Sequence, residues 1–239
     1  MKTAAATRRR LYLVDAHAYL HRAYHALPPL TNSKKEPVGA LLGFLRALLV
    51  IIRRDKPELL AVCFDAPGPT FRHKELESYK ATRKPTEPDL KWQLNAARDV
   101  VKATGLPFVE APGWEADDLM ATLAAKGEAE GLDVVLVSGD KDALQLVGGR
   151  IRVLNEAKGV VFDPAKVEEK FKVTPAQLVD YLTLTGDVSD NVPGVPGVGA
   201  VGAAKLLNRF GDLDALIQAA LKGDPDIPAR IAKSLVDSQ

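Results

Sequence analysis

Residues 11–15 have the sequence LYLVD, four apolar residues followed by an aspartate. The same pattern returns in residues 59–65 (LLAVCFD) and 134–140 (VVLVSGD). Short apolar runs of this kind are typical of parallel strands that are buried on both faces. Further strands are predicted at residues 107–109 and 151–154, and helices at 37–54, 90–104, 117–130 and 175–184. The alternation predicts an α/β fold in which helices cover both faces of a twisted, mainly parallel sheet.

Length and composition limit the class of protein. The chain has 239 residues, of which 46% are hydrophobic, so it can bury a core and is not disordered throughout. Its single cysteine, Cys63, excludes a disulfide framework and a thiolate zinc site, and we expect it in the core. No apolar run reaches the ~18 residues of a transmembrane helix, so no membrane partner is expected.

Three regions are expected along the chain. Residues 1–10 contain four basic residues with no apolar segment after them, which predicts a disordered basic tail. Residues 11–160 carry the predicted strands, and a basic, proline-containing segment at about residues 66–90 interrupts them. The strands stop near residue 160, so residues 161–239 are expected to form a helical region.

Acidic side chains follow each of the three main predicted strands. Asp15, Asp65 and Asp140 end these strands, and Asp142 comes two residues after Asp140. Two further acidic groups, expected at helix starts, are Glu115, Asp117 and Asp118, and Asp187 and Asp190. Because ligands bind beyond the carboxyl ends of parallel strands, we expect all nine carboxylates along one edge of the sheet. Taken singly, each group also fits a turn former, an N-cap or a first-turn acid.

The combination of these groups predicts a metal site. Residues 110–142 contain nine acidic residues and two lysines, and carboxylates that lie close together cannot all stay ionised without cations. Oxygen ligands without a histidine or cysteine pattern select hard ions, so two or more Mg²⁺ or Mn²⁺ ions are expected. Two such ions ~4 Å apart are the arrangement that hydrolyses phosphodiesters. The four histidines show no ligand spacing, and we expect them in loops or at the surface.

The basic segment predicts contact with a polyanion. Lys80 and Arg83 lie in its middle, and a cation near the metals would stabilise charge on a scissile phosphate. Tyr79 beside them could stack on a base. Arg22 is a further cation that follows a strand-end aspartate. The alternative for each is a solvated basic face.

The stretch VPGVPGVG at residues 192–199 precedes a predicted helix. Three glycines in this stretch, Gly194, Gly197 and Gly199, leave the backbone amides accessible, so that these amides can point at an anion. The N-terminus of the following helix adds a positive dipole. This pattern is typical of a helix-hairpin-helix, which grips a phosphate backbone without reading its sequence. The alternative is a plain turn between helices.

Taken in order, these motifs resemble the bacterial 5′-3′ exonuclease family. The chain is most similar to the 5′-nuclease domain at the N-terminus of DNA polymerase I, and more distantly to flap endonucleases. The resemblance covers residues 11–217. The motifs that carry it are VD (14–15), FD (64–65), EADD (115–118), GDKD (139–142), GDVSDN (186–191), PGVPGVG (193–199), YHALPPLTN (24–32) and TFRH (70–73).

The resemblance implies a PIN-like sheet, a helical arch formed by residues 66–90 and a C-terminal helix-hairpin-helix. It implies structure-specific hydrolysis of DNA at a 5′ end or 5′ flap, in replication and repair, in the cytoplasm at the nucleoid. A polymerase domain or protein, in cis or in trans, is the implied protein partner. The implied cofactors are Mg²⁺ or Mn²⁺ at the carboxylates and K⁺ at the hairpin.

The resemblance also assigns roles to residues. All nine carboxylates match metal ligands. The residues that match the basic catalytic set are Lys80, Arg83 and Arg22. The residues that match DNA contacts are Tyr79, Arg72, Lys84, Gly194, Gly197, Gly199 and Lys205. The family usually continues the hairpin with Gly-Glu-Lys-Thr-Ala, whereas Ala200-Val201-Gly202 follows here, so weaker binding of the downstream duplex is expected.

Three other functions remain open at this point. A non-catalytic helix-hairpin-helix DNA-binding protein has no need of the acidic groups. A phosphoacceptor signalling domain needs only one acidic pocket and one lysine, and leaves the basic segment and the hairpin unexplained. A ribonuclease with a PIN-type sheet is the third alternative. A site of four acidic residues and no helix-hairpin-helix would suit it better than the motifs of this chain.

Overall fold

The computed structural model describes residues 8–237. Most of the predicted basic tail lies outside these residues, and the first strand already includes Arg10. The described residues form two compact units. Unit 1 consists of residues 8–71, 85–143 and 147–162, and unit 2 of residues 72–84, 144–146 and 163–237.

Unit 1 contains a six-stranded sheet in the order β3-β2-β1-β4-β5-β6. Its strands are β1 (Arg10–Asp15), β2 (Leu59–Cys63), β3 (Phe108–Val109), β4 (Asp133–Val137), β5 (Ile151–Asn155) and β6 (Val160–Phe162). All neighbouring strands are parallel except β5 and β6, which are antiparallel. The apolar runs located β1 to β5, but β6 was missed because it begins where we expected the strands to stop.

Helices cover both faces of this sheet. On one face Val14 of β1 belongs to a buried cluster with Phe44, and burial of such a phenyl ring stabilises the fold by about 2–3 kcal/mol. Leu13 points to the other face, where a Cβ on Gly127 would lie 3.0 Å from Leu11. The helices of the first face are α1 (Ala16–Ala26), α2 (Gly39–Asp55) and α4 (Pro88–Ala103), and the helix of the second is α5 (Ala116–Ala129).

Helix α1 was missed by the sequence analysis. Its buried residues are Ala16, Tyr19, Leu20 and Ala23. His17, His21 and Arg22 lie between them in the sequence, so its apolar stripe is narrow. Asp15 determines where the helix begins, because its Oδ1 accepts a hydrogen bond from the backbone N–H of Ala18 at 2.9 Å.

Unit 2 is helical after residue 163. Its helices are α6 (Pro164–Phe171), α7 (Leu178–Thr185), α8 (Ala200–Phe210), α9 (Leu213–Leu221) and α10 (Ala229–Asp237). Leu178, Leu207 and Leu216 are fully buried between them. Gln177 Nε2 donates to the carbonyl oxygens of Leu207 and Gly211 at 3.1 and 2.7 Å, which satisfies the C-terminal end of α8.

The segment at residues 66–90 is divided between the units. Helix α3 (Phe71–Glu75) is a single short turn, residues 77–82 form further turns, and α4 begins at Pro88. The expected α/β class, with a mainly parallel sheet and a helical C-terminal region, is confirmed. None of the helices within residues 8–237 has the length and apolar character that a membrane crossing requires.

Candidate functional site

Three predicted ligands leave neighbouring parallel strands at one edge of the unit 1 sheet. Asp15 is the last residue of β1 and pairs in register with the last residue of β2. Asp65 follows β2, and Asp140 follows β4, the other neighbour of β1. This carboxyl edge is where open α/β sheets bind their ligands.

The start of helix α5 brings three more acidic residues to this edge. Glu115 is the N-cap, and Asp117 and Asp118 lie in the first turn, where Asp118 Oδ2 accepts the N–H of Glu115 at 3.0 Å. The backbone N–H of Ala116 donates to Asp65 Oδ1 at 2.7 Å. This bond joins the start of α5 to the residue that follows β2.

Asp15 is almost fully buried, and both of its carboxylate oxygens have donors. Oδ1 accepts a hydrogen bond from the backbone N–H of Ala18, and Oδ2 accepts one from the hydroxyl of Ser138 at 2.9 Å. The same Ser138 oxygen accepts the backbone N–H of Asp140 at 3.1 Å. Ser138 therefore connects the ends of β1 and β4, a role that the sequence analysis missed because no motif marks a lone serine after a strand.

Two further residues that the sequence analysis missed hold the backbone of Asp65. The N–H of Asp65 donates to His17 Nδ1 at 3.2 Å, and its carbonyl oxygen accepts Arg98 Nη2 at 2.7 Å. Arg98 also pairs with Glu110 at 2.7 Å. Burial lowers the pKa of His17, which favours the neutral ring that this acceptor role requires. The expectation of loop or surface histidines is therefore wrong for His17, which lies on a helix and is largely buried.

Burial and mutual repulsion shift the pKa values of this cluster. Desolvation is the larger cause for Asp15, and the charges of Asp65 and Asp140 add to it, so that the pKa of Asp15 is raised to about 6. The pKa of Asp117 is raised to about 8, again mainly by desolvation and then by Asp15, Asp140 and other nearby carboxylates. The side chains are thus close enough to repel one another.

The chemistry of this donor set fits hard divalent cations, because the predicted ligands that lie at this edge are all carboxylates. Within the described part of the chain, no three His, Cys, Asp or Glu side chains already converge as a metal-binding group. Several oxygens are instead occupied by backbone donors. Asp140 Oδ1, for example, accepts the N–H of Asp142 at 3.0 Å. Metal binding would therefore replace local hydrogen bonds of this kind.

Asp187 and Asp190 lie in unit 2, after the end of α7. The prediction of a helix start at these residues is wrong, because an antiparallel bridge between Asp187 and Val192 closes a turn. Asp187 Oδ1 accepts the backbone N–H of Ser189 at 2.8 Å, which shapes the turn.

Asp190 holds the turn at residues 78–83, which carries three of the predicted DNA contacts. Its carboxylate accepts the hydroxyl of Tyr79 at 3.1 Å and pairs with Arg83 Nη2 at 2.5 Å. Its carbonyl oxygen accepts the N–H of Lys80 at 2.9 Å, and Lys80 has a left-handed φ of 55°. The Lys80 ammonium lies 4.8 Å from the centroid of the Tyr79 ring. In unit 2, therefore, a predicted ligand binds the guanidinium of one predicted arch cation, Arg83, and the backbone of the other, Lys80.

The remaining basic candidates occupy separate positions. Arg22 lies on α1, where it pairs with Glu156 at 3.4 Å and stacks over the ring of Tyr19. Arg72 is partly buried on α3, whereas Lys84 and, on α8, Lys205 are exposed.

The three glycines of the hairpin have three different structural roles. A Cβ on Gly194 would lie 2.4 Å from the backbone of Thr185, so only glycine fits this close approach. Gly197 has a φ of +88°, which a side chain would strain. Gly199 is the N-cap of α8, and a Cβ there would meet open space. Of the three, Gly199 is therefore the position at which a side chain could be accommodated.

Comparison with known proteins agrees with this architecture. Residues 10–172 match the family model "5'-3' exonuclease, N-terminal resolvase-like domain", and residues 173–239 match "5'-3' exonuclease, C-terminal SAM fold". The chain is 40% identical to a 5'-3' exonuclease of Aquifex aeolicus over 91% of this chain and 75% of that protein.

Longer relatives and solved structures show the same resemblance. The chain is 44% identical to DNA polymerase I of Deinococcus radiodurans over 96% of its own length, and it spans about a quarter (24%) of that polymerase. The bacteriophage T5 D15 flap endonuclease, solved as a pseudo-enzyme-product complex with DNA and metal ions, superposes with a TM-score of 0.76 at 22% identity, over 95% of this chain and 86% of the other. The resemblance inferred from the motifs is confirmed, and the chain belongs to the 5'-3' exonuclease family.

Proposed function

We propose that this protein hydrolyses phosphodiester bonds of DNA at a 5′ end or 5′ flap, with divalent cations held at the carboxyl edge of the unit 1 sheet. The observation that carries the proposal is the convergence of Asp15, Asp65, Asp140 and the acidic start of α5 at one edge of the sheet. Burial and mutual repulsion raise the pKa values of Asp15 and Asp117 there, which supports it. A fold that buries carboxylates which repel one another is typical of a site that binds cations. Family membership supports the reaction class.

The residues proposed to hold the cations are the carboxylates of this edge: Asp15, Asp65, Glu115, Asp117, Asp118, Asp140 and Asp142. Asp187 and Asp190 remain proposed ligands from unit 2. When bound, the cations supply charge neutralisation, polarisation of a phosphoryl oxygen and a lowered pKa of water. We propose Mg²⁺ or Mn²⁺, two or more in number, because the donor set contains only oxygen.

The chain's own residues have three proposed tasks. Ser138 and the N-terminus of α1 fix Asp15, and His17 and Arg98 fix the backbone at Asp65, so both carboxylates are oriented before a cation arrives. Lys80 and Arg83 place positive charge on the substrate phosphates, with Arg22, Arg72 and Lys84 as further contacts. The hairpin, through Gly194, Gly197 and Gly199, and Lys205 on α8 contact the duplex backbone, with K⁺ as a bridging ion.

The proposed partners follow from the substrate. The T5 flap endonuclease that shares the fold was solved with DNA, and the D. radiodurans relative is a polymerase. We propose that DNA with a 5′ end at a duplex junction is the substrate, that a polymerase in cis or in trans extends the adjoining strand, and that the protein acts at the nucleoid in the cytoplasm.

The test is cleavage of a 5′-labelled flap substrate by the purified chain. We expect incision near the junction in Mg²⁺ or Mn²⁺ and none in EDTA, with binding retained in Ca²⁺. Matched substrates carry a 3′ flap or an all-RNA 5′ strand. Cleavage of the RNA strand alone would favour a PIN-type ribonuclease, and binding without cleavage in every metal would favour a non-catalytic DNA-binding protein.

A further inference from the structure

A half-exposed tryptophan lies directly before the acidic start of α5 and is paired with a partly buried phenylalanine. Trp114 is 49% exposed, and its ring centroid lies 5.1 Å from that of Phe71, with 52° between the ring planes. Full burial of a large aromatic side chain stabilises a fold by a few kcal/mol. A tryptophan that is half exposed gives up part of this stabilisation. Its position outside the core is therefore informative.

The backbone holds this pair in a defined place. The N–H of Trp114 donates to the carbonyl oxygen of Ala111 at 3.2 Å, which closes a turn, and Gly113 within it has a φ of +83°. The N–H of Phe71 donates to the carbonyl oxygen of Gly113, also at 3.2 Å. These bonds connect the two chain segments that carry the rings, so the rings keep their relative position without being buried.

The pair is also close to the carboxylates. Trp114 precedes Glu115, and the N–H of Ala116 donates to Asp65 Oδ1 at 2.7 Å. Two trans peptide units span at most about 8 Å between Cα atoms, so the Trp114 side chain starts within that distance of Ala116. A nucleotide whose phosphate is at the carboxylate edge would have its base within reach of an indole ring.

We propose that Trp114, supported by Phe71, is a stacking platform for a nucleobase of single-stranded DNA next to the phosphodiester that is cleaved. The proposal rests on the proposed function for its ligand. Every base has a π-face, so a platform of this kind binds single strands without sequence preference. It positions the strand and takes no part in proton or phosphoryl transfer.

The two tryptophans of the chain make the test direct. Trp92 lies on α4 and is 38% exposed, so Trp92→Phe leaves Trp114 as the single indole reporter, and Trp114→Phe leaves Trp92. Both variants are titrated with an oligothymidylate and with an abasic strand of equal length, in Ca²⁺, which the proposed function expects to support binding without cleavage. We expect quenching of Trp114 fluorescence by oligothymidylate, much weaker quenching by the abasic strand, and no quenching of Trp92.

Affinity measurements complete the test. Trp114→Ala should weaken oligothymidylate binding about tenfold, Trp114→Phe should retain most of the affinity, and Trp92→Ala should match the parent protein. An unquenched Trp114, or equal binding of oligothymidylate and abasic strands, would overturn the proposal. Cleavage of the 5′-flap substrate by the parent protein is measured separately in Mg²⁺. A parent that cleaves while Trp114→Ala binds normally refutes the platform alone, and a parent that never cleaves refutes the proposed function.

Discussion

The predicted metal ligands of the two units differ in the charged groups that surround their carboxylates. In unit 1 the charges that raise the pKa of Asp117 belong to other carboxylates, chiefly Asp15 and Asp140. In unit 2 the carboxylate of Asp190 accepts the Tyr79 hydroxyl and pairs with the Arg83 guanidinium.

This difference separates two uses of the same residue type. The unit 1 carboxylates repel one another, so they gain from any divalent cation that binds among them. Asp190 already has a cationic partner, and a metal ion would have to compete with Arg83 for it. We therefore expect unit 1 residues to dominate catalysis and Asp190 to have a second, conformational role in unit 2.

The largest expected effect tests the unit 1 carboxylates. Asp140→Asn should lower single-turnover cleavage of a 5′-flap DNA in Mg²⁺ by about a thousandfold or more, since loss of a metal ligand removes several kcal/mol of transition-state stabilisation. Asp133→Asn is the matched control, because Asp133 begins the same strand at its opposite end. Equal cleavage by Asp140→Asn and Asp133→Asn would contradict the assignment of the carboxyl edge.

A smaller effect concerns stability without metal. The pKa of Asp117 is about 8 in the folded protein, well above that of an ordinary carboxyl, so folding favours the protonated form. The free energy of unfolding should therefore fall as the pH rises from about 4 to 8. Asp117→Asn removes this penalty and should stabilise the metal-free protein at pH 8 by about 2 kcal/mol, roughly 5 °C in Tm.

Thermal unfolding in EDTA measures this effect, with the same pair of proteins at pH 5 as the control. At pH 5 the difference should be smaller than at pH 8, because pH 5 lies only about one unit above the pKa of the carboxyl in the unfolded chain and little of the penalty has accumulated. Mg²⁺ at pH 8 should stabilise the parent protein more than Asp117→Asn. A variant that is less stable than the parent at pH 8 would show that the buried charge of Asp117 does not destabilise the metal-free fold.

The smallest effect tests the Asp190 contacts. Asp190→Ala removes partners of Tyr79 and Arg83, and because the Arg83 side chain is half exposed we expect a loss of only about 1 kcal/mol of local stability. Trypsin should then cleave after Lys80 and Arg83 about fivefold faster, as followed by mass spectrometry. Asp226→Ala is the matched control.

That control breaks an exposed ion pair with Arg209 elsewhere in unit 2. It should leave cleavage after Lys80 and Arg83 unchanged. Similar rates for Asp190→Ala and the parent protein would mean that Asp190 does not hold the turn at residues 78–83.

The sequence predicted the sheet well because its signals are local. Each of the runs ending at Asp15, Asp65 and Asp140 is apolar on both faces, and its short length favours a buried strand over a helix. The same aspartates were predicted at the carboxyl edge because parallel strands end there together. Helix α1 was not predicted, since Leu20 is its only large aliphatic residue and its cap is the aspartate that we assigned to metal binding.

The residues that hold the candidate metal ligands in place could not be predicted from the sequence. His17, Arg98 and Ser138 hold Asp65 and Asp15 through bonds between residues that are distant in the chain, and no local motif marks them. The pairing of Asp190 with Arg83 likewise joins segments separated by 107 residues. The roles of Gly194 and Gly199 also differ for tertiary reasons, because what a Cβ would meet depends on the neighbouring backbone.

The central place of β1 has a consequence for synthesis of the chain. Strand β1 leaves the ribosome before the other strands of this sheet, but one of its two neighbours, β4, begins only at Asp133. At ~5–20 residues per second, β1 waits roughly ten seconds for that partner, with Leu13 and Val14 unable to reach their final packing. During this interval the nascent chain carries an unpaired apolar edge, so early folding of unit 1 depends on protection of that edge until β4 emerges.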